Sequence, residues 1–188
     1  MSKFYNGDVS MNLYVVRHGE VPSNISDRVC KRTDEKLTKK GIEQAKYVGK
    51  KLEKINFDVV FSSPLARATE TAKYIVPNKS IILDERLTER GLGTLVGRKW
   101  KDVDRNTWNS LDTEITPDGA ETLLSGLKRT KSFLDDIHKK YREKNVLVVT
   151  HNFVSKCIWA LEENITDKNQ LMNYVHPNGE IKKYFIID

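Results

Sequence analysis

The chain lacks the features that mark membrane, secreted and zinc-binding proteins. No segment of its 188 residues approaches the roughly 20 consecutive apolar residues of a membrane-spanning helix. The N-terminus does not show the basic and then apolar pattern of a signal peptide, so we expect a cytoplasmic location and no membrane partner. Only two cysteines occur, Cys30 and Cys157, and neither lies at zinc-binding spacing from other cysteines or histidines. We therefore expect free thiols and no metal site.

The chain also has no arginine-rich block interleaved with aromatic residues, which a nucleic-acid surface more often shows. Its net charge of +6 and pI near 9.2 favour an anionic partner, which a nucleic acid, a membrane surface or a small substrate would all satisfy. The lysine pairs at 39–40, 50–51, 139–140 and 182–183 are scattered along the chain. We interpret the excess charge as a solvated basic face and do not expect a nucleic-acid partner.

Internal repeats, linkers and low-complexity segments are absent too, and apolar runs alternate with helical patterns. The alternation predicts one α/β domain at residues 11–188, preceded by a flexible extension at 1–10. We predict a three-layer α/β/α sandwich with a mostly parallel central sheet. Residues 180–187 are expected to form its antiparallel edge strand.

One apolar, partly β-branched run, residues 13–16, is followed directly by polar residues. Arg17 and His18 follow it directly, and Gly19 lets a substrate approach the backbone closely. In open α/β sheets, ligands bind beyond the carboxyl ends of the strands, so this is the expected position of a site. A second apolar run repeats the pattern and ends in His151.

Two further segments add an anion site and a carboxylate. Ser62-Ser63-Pro64 follows a predicted strand and predicts that a helix begins at the serines, with Arg67 in its first turns. The free N–H groups and the positive dipole end of such a helix favour anions. Residues 87–97 contain three glycines beside Glu89 and Arg90, which indicates a tight loop that serves a site.

This set of residue types suits phosphoryl transfer. Arginines and backbone donors bind phosphate oxygens, one imidazole attacks phosphorus, and a carboxylic acid protonates the departing alcohol oxygen. The chemistry needs no metal or other cofactor.

Four segments resemble the motifs of a known family. Residues 13–20 are similar to the defining motif of the histidine phosphatase superfamily, in its phosphoglycerate-mutase-like branch. Residues 62–72, 87–97 and 148–151 resemble the second, third and fourth motifs, in the same order. The resemblance implies a metal-independent phosphomonoesterase that acts on a small phosphorylated metabolite through a phosphohistidine intermediate.

The resemblance also implies catalytic roles. His18 would be the nucleophile, held by a nearby backbone carbonyl in the tautomer with a free attacking nitrogen. Glu89 would be the general acid and would then activate water. The phosphoryl group would be held by Arg17, Arg67 and His151.

Other positions would bind the substrate: Asn24, Arg28, Arg90 and Asn152. Asn152 replaces the glycine that usually follows the second histidine of the family. His138 and His176 match no motif, and we interpret both as surface residues.

Some positions depart from the mutases of the family. The mutase pattern has a tyrosine where Leu92 stands and a lysine where Trp100 stands, together with a basic insertion and a longer tail. These differences favour a phosphatase over a phosphoglycerate mutase, which is the alternative. A non-catalytic phosphate-binding scaffold is a third hypothesis, and the oligomeric state is left open between monomer and homodimer.

Overall fold

The structure, a computed structural model, describes residues 9–26, 29 and 35–187. The strands are, in chain order, β1 (Val9–Arg17), β2 (Val59–Ser62), β3 (Ile82–Leu83), β4 (Lys144–Thr150) and β5 (Ile181–Ile187). The α-helices are α1 (Lys39–Leu52), α2 (Ala66–Ile75), α3 (Arg105–Trp108), α4 (Leu123–Lys140), α5 (Asn152–Glu162) and α6 (Lys168–Asn173). Short 3-10 helices cover Pro22–Ile25, Glu85–Leu87, Gly93–Leu95 and Trp100–Asp102.

The described strands form one sheet in the order β3-β2-β4-β1-β5. Strands β1 to β4 are parallel, and β5 pairs with β1 in the antiparallel direction. Arg17 lies opposite Thr150, and Ser62 lies opposite Val149, so β1, β2 and β4 end at the same edge. The predicted sheet, mostly parallel with an antiparallel edge strand, is confirmed.

Alternation along β1 divides the core into two layers. Leu13 and Val15 pack with residues of α4 and α5 in one apolar cluster. Tyr14 and Val16 point to the other face and pack with residues of α1 and α2. Because successive side chains of a strand face opposite sides, one apolar run supplies both layers of the predicted sandwich.

Some element boundaries differ from the predictions. β1 begins at Val9, inside the segment predicted as an extension, while residues 1–8 lie outside the described residues. The prediction that α2 begins at the serines is wrong, because Ser62 belongs to β2 and the Ser63 amide donates to Val149 of β4. The serines therefore continue the sheet, and the helix begins at Ala66.

Residues 100–108 form two short helical pieces, Trp100–Asp102 and α3. Between them, Asp104 accepts hydrogen bonds from the amides of Asn106 and Thr107, which starts α3 afresh. The helix α6 was not predicted, although Asp167 caps it by accepting a hydrogen bond from the Gln170 amide.

Cys157 is a buried free thiol, as predicted. Cys30 lies outside the described residues. Within the described ranges, the helices are all too short or too polar to cross a membrane.

Candidate active site

The carboxyl ends of three parallel strands bring the predicted catalytic residues together. Arg17 ends β1 and His18 follows it, while His151 follows β4 and precedes α5. Arg67 lies in the first turn of α2, which follows β2. The imidazole rings of His18 and His151 lie 5.0 Å apart, centre to centre.

His18 is buried, and its two ring nitrogens have different partners. Nδ1 lies 2.7 Å from the carbonyl oxygen of Gly19, an acceptor only, so Nδ1 carries the proton. Nε2 is therefore the unprotonated nitrogen, and it accepts a hydrogen bond of 3.2 Å from Nε of Arg67. Burial, followed by the charges of Arg67 and Arg17, lowers the pKa of His18 well below its usual value. The imidazole is thus neutral, with a lone pair on Nε2.

His151 lies fully buried beside His18. Its Nε2 forms a hydrogen bond of 2.8 Å with Oγ of Ser63, the residue after β2. Its Nδ1 has no hydrogen-bond partner among the described residues. Burial and the neighbouring charges lower the pKa of His151 well below its usual value. One polar atom of this ring is therefore unpaired among the described residues, although His151 itself is not part of the cavity wall.

A cavity of about 380 Å³ opens at this edge of the sheet. Its walls include the predicted residues Arg17, His18, Asn24, Arg67, Glu89, Arg90 and Asn152. Arg28 lies outside the described residues. The structure thus places the predicted carboxylate, Glu89, and the predicted nucleophile on one cavity.

One wall of the cavity is a stack of flat groups. The Arg90 guanidinium lies 4.5 Å from the ring centre of Trp108 and 4.1 Å from that of Phe153, and Nη2 donates to the Trp108 carbonyl oxygen. Trp100 stacks on Trp108 with ring centres 5.2 Å apart. Burial lowers the pKa of Arg90 to about 9. Arg90, which was predicted to bind the substrate, lines the cavity, and its guanidinium packs against two aromatic rings.

No pattern in the sequence indicated that Trp108 and Phe153 belong to this wall. Phe153 directly follows Asn152, and an apolar residue there is equally typical of a buried helix face. Trp108 comes from α3, whose short pattern could not place it beside Arg90.

A segment before β5, residues 174–180, supports the strand end from behind. The prediction that His176 is a surface residue is wrong, since it is fully buried and hydrogen-bonded to Ser155 and to the Glu180 carbonyl oxygen. Its own carbonyl oxygen accepts a hydrogen bond of 2.7 Å from Nη1 of Arg17.

Two asparagines tie this segment to the site. Asn178 donates to the carbonyl oxygen of His18 at 2.9 Å and to Oδ1 of Asn24 at 3.1 Å. Asn152 accepts from the amide of His176 at 2.7 Å. Because β5 is antiparallel to β1, the residues that lead into β5 lie at the carboxyl end of β1. The predicted antiparallel edge strand was therefore the sequence feature that could have placed this segment at the site.

His138, the other histidine without a motif, is half-buried beside Glu162, 3.3 Å away, and lies outside the site.

Known proteins are similar to this chain in both sequence and fold. The family model described as the histidine phosphatase superfamily (branch 1) matches residues 13–184. A metal-independent phosphoserine phosphatase from Arabidopsis thaliana is 30% identical over 173 residues, which cover 86% of this chain and 72% of the relative. A 2,3-bisphosphoglycerate-dependent phosphoglycerate mutase from Brucella melitensis is 31% identical over 171 residues, which cover 82% of each chain.

Among solved structures, a mutant phosphoserine phosphatase from Entamoeba histolytica in complex with phosphoserine superposes with a TM-score of 0.81 at 26% identity. The match covers 92% of this chain and 89% of that one. The predictions of fold class and of a phosphatase enzyme are confirmed. Since the family model spans most of the chain, this enzyme belongs to branch 1 of the histidine phosphatase superfamily.

Proposed function

We propose that the enzyme hydrolyses a small phosphomonoester at this cavity, with His18 as nucleophile and Glu89 as general acid and base. The observation that carries the proposal is the pair of contacts on the His18 ring. The Gly19 carbonyl oxygen holds the proton on Nδ1, and Nε2 keeps a lone pair beside Arg67. A neutral, oriented imidazole is what attack on phosphorus needs.

The phosphoryl group binds where Arg17, Arg67 and His151 converge. A hydroxyl of Ser63 that donates to Nε2 of His151 leaves the proton on Nδ1, which then donates to a phosphoryl oxygen. Two guanidinium groups supply the positive charge that a metal ion supplies in other phosphatases.

The reaction has two steps. Nε2 of His18 attacks phosphorus, the bond to the alcohol oxygen breaks, and the carboxylic acid of Glu89 gives that oxygen its proton. The resulting carboxylate then takes a proton from water, whose oxygen attacks phosphorus. The phosphorus–nitrogen bond breaks, phosphate leaves, and His18 and Glu89 return to their starting states.

Phosphoserine is the first substrate to test, because relatives found by both sequence and structure are named phosphoserine phosphatases. Phosphoglycerate mutation is the second candidate, since mutases are among the relatives. Leu92 and Trp100 occupy positions where the mutase pattern has a tyrosine and a lysine, which favours hydrolysis. A cytoplasmic location, a monomeric or homodimeric state and the absence of a nucleic-acid partner stay predictions.

The test is release of phosphate from phosphoserine, 3-phosphoglycerate and p-nitrophenyl phosphate in the presence of EDTA, with His18→Ala beside the wild type. We expect phosphate release that resists EDTA and falls by more than about 10³-fold in the variant. Interconversion of phosphoglycerates without release would favour a mutase. No turnover of any ester would favour a phosphate-binding scaffold.

A further inference from the structure

The loop that carries Glu89 is fastened on both sides of that residue. Before it, the carbonyl oxygen of Arg86 accepts a hydrogen bond of 2.5 Å from Nη1 of Arg129, and the Leu87 carbonyl oxygen accepts one of 2.7 Å from the Thr150 hydroxyl. After it, the amide of Gly91 donates to Oε2 of Glu121 at 3.1 Å.

Two of these anchors are partners of each other. Nε of Arg129 lies 2.6 Å from Oε1 of Glu121, and Nη2 lies 3.0 Å from Oε2, which is the two-pronged geometry of a strong arginine–carboxylate pair. The Ser125 hydroxyl donates to the same carboxylate. One ion pair thus connects the backbone three residues before Glu89 with the backbone two residues after it.

The pair is shielded from water and fixed in orientation. The side chains of Glu121 and Arg129 are only 12% and 19% exposed. Burial alone would raise the pKa of Glu121, but the hydrogen bond and charge of Arg129 outweigh it and lower that pKa. Glu121 also pairs through its own backbone, because its amide donates to the Gly91 carbonyl oxygen at 2.9 Å. Neither side chain lines the cavity, so neither contacts a substrate there.

We propose that Glu121 and Arg129 are positioning residues that set the place of the Glu89 carboxyl for proton transfer. The inference rests on the proposed role of Glu89 as general acid. An acid protonates a leaving oxygen only within hydrogen-bond reach, and a shift of about 1 Å costs up to about 10²-fold in rate. The ion pair restricts the Glu89 loop at both ends and so limits such shifts.

The leaving group of the substrate separates this role from a structural one. Phosphoserine has a poor alkoxide leaving group that requires a proton, whereas p-nitrophenyl phosphate releases a stable phenolate that does not. We expect Glu121→Gln and Arg129→Lys to lower kcat/KM for phosphoserine about tenfold and for p-nitrophenyl phosphate less than about twofold. General loosening of the site would lower both values alike, which would overturn the proposal.

The matched control is Glu114→Gln, which removes the exposed pair of Glu114 with Lys128. That pair also joins α4 to the segment before it, but it does not contact the Glu89 loop. We expect the control to leave both kcat/KM values unchanged. A loss in the control equal to that in Glu121→Gln would contradict the proposal.

A double variant separates failure of this inference from failure of the proposed function. If Glu89 is the acid, Glu89→Gln lowers kcat/KM for phosphoserine far more than for p-nitrophenyl phosphate. Adding Glu121→Gln to it should then cost nothing further, because no proton donor is left to position. Equal losses for both esters in Glu89→Gln would refute the acid role itself. Two outcomes would refute only the positioning role. In both, Glu89→Gln lowers kcat/KM for phosphoserine far more than for p-nitrophenyl phosphate; then either Glu121→Gln has no effect, or the losses add in the double variant.

Discussion

At the residue scale, the reactivity of His18 depends on which nitrogen carries the proton. The Gly19 carbonyl oxygen fixes that choice through a contact between neighbouring residues, so it does not depend on a distant partner. Arg67 adds a hydrogen bond on the opposite nitrogen. The proposed nucleophile is therefore oriented before any substrate arrives, which reduces the rearrangement needed for attack.

We expect nitrogen NMR at pH 6.5 to show a neutral His18 ring protonated on Nδ1. Burial is the main cause of its low pKa and the charge of Arg67 is the next, so Arg67→Met should raise that pKa without restoring the usual value. His18→Gln identifies the signal. A ring protonated on Nε2, or a cationic ring at this pH, would contradict the assignment.

Two glycines allow the His18 loop to lie directly on α1. A Cβ atom on Gly41 would lie 2.2 Å from the Glu20 carbonyl oxygen, and one on Gly19 would lie 2.3 Å from the Gly41 carbonyl oxygen. Both encounters are with backbone, which cannot rotate away. The close approach therefore requires glycine at both positions.

Gly41→Ala should consequently lower the free energy of unfolding by about 2 kcal/mol, although alanine is the better helix former. Gly91→Ala is the control, because its Cβ would meet Glu121 at an ordinary 3.5 Å. Urea denaturation of both variants gives the comparison. A Gly41→Ala protein as stable as the wild type would show that the loop and the helix can separate without cost.

At the scale of elements, the segment 174–180 acts as a support for the end of β1. Its amide at Gly179 donates to the Arg17 carbonyl oxygen, and the Asn178 side chain holds the His18 carbonyl oxygen. Strand β5 determines where this segment lies through its pairing with β1.

We expect Asn178→Ala to lower kcat/KM about tenfold and to reduce stability by only about 1 kcal/mol, because one half-exposed side chain is removed. The control is Asn173→Ala, whose side chain donates to the Asn169 carbonyl oxygen within α6. Steady-state kinetics and urea denaturation provide the two measurements. Equal effects of the two substitutions on kcat/KM would argue against a specific support of His18.

The main elements of the site were predictable because their signals are local. An apolar run that ends in arginine and histidine indicates a strand end, and three glycines beside Glu89 indicate a loop that serves a site. The supporting residues were not predictable in this way. His176 and Glu121 act through contacts with residues far along the chain, and nothing in their immediate neighbours distinguishes them from surface residues.

At the scale of the whole molecule, three of the four histidines are buried, and each has a lowered pKa. Burial brings that of His176 to about 4. In the unfolded chain the histidines have their usual pKa of about 6.5, so below that pH they bind protons that the folded protein does not bind. The contribution of these histidines to the free energy of unfolding is therefore fully present above about pH 6.5. It is lost as the pH falls below that value.

Between pH 6 and the lowered pKa values, the free energy of unfolding should fall by up to about 1.4 kcal/mol per pH unit for each histidine. For the three together the slope is about 4 kcal/mol per pH unit. Urea midpoints at pH 7.5, 6.5 and 5.5 give the measurement. His176→Asn should reduce the slope by about a third. Equal stability at pH 7.5 and 5.5 would mean that the buried rings accept protons without cost.

The pairing of β1 with β5 also has a consequence for the order in which the protein is made. Arg17 and the His176 carbonyl that holds it are 159 positions apart. At about 5 to 20 residues per second, a ribosome needs about 8 to 30 seconds to cover that distance. During this time β1 has an unpaired edge, and the proposed catalytic residues at its end lack their support. We therefore expect the nascent chain to be inactive until its last strand has been made, and an unpaired strand edge of this kind favours aggregation.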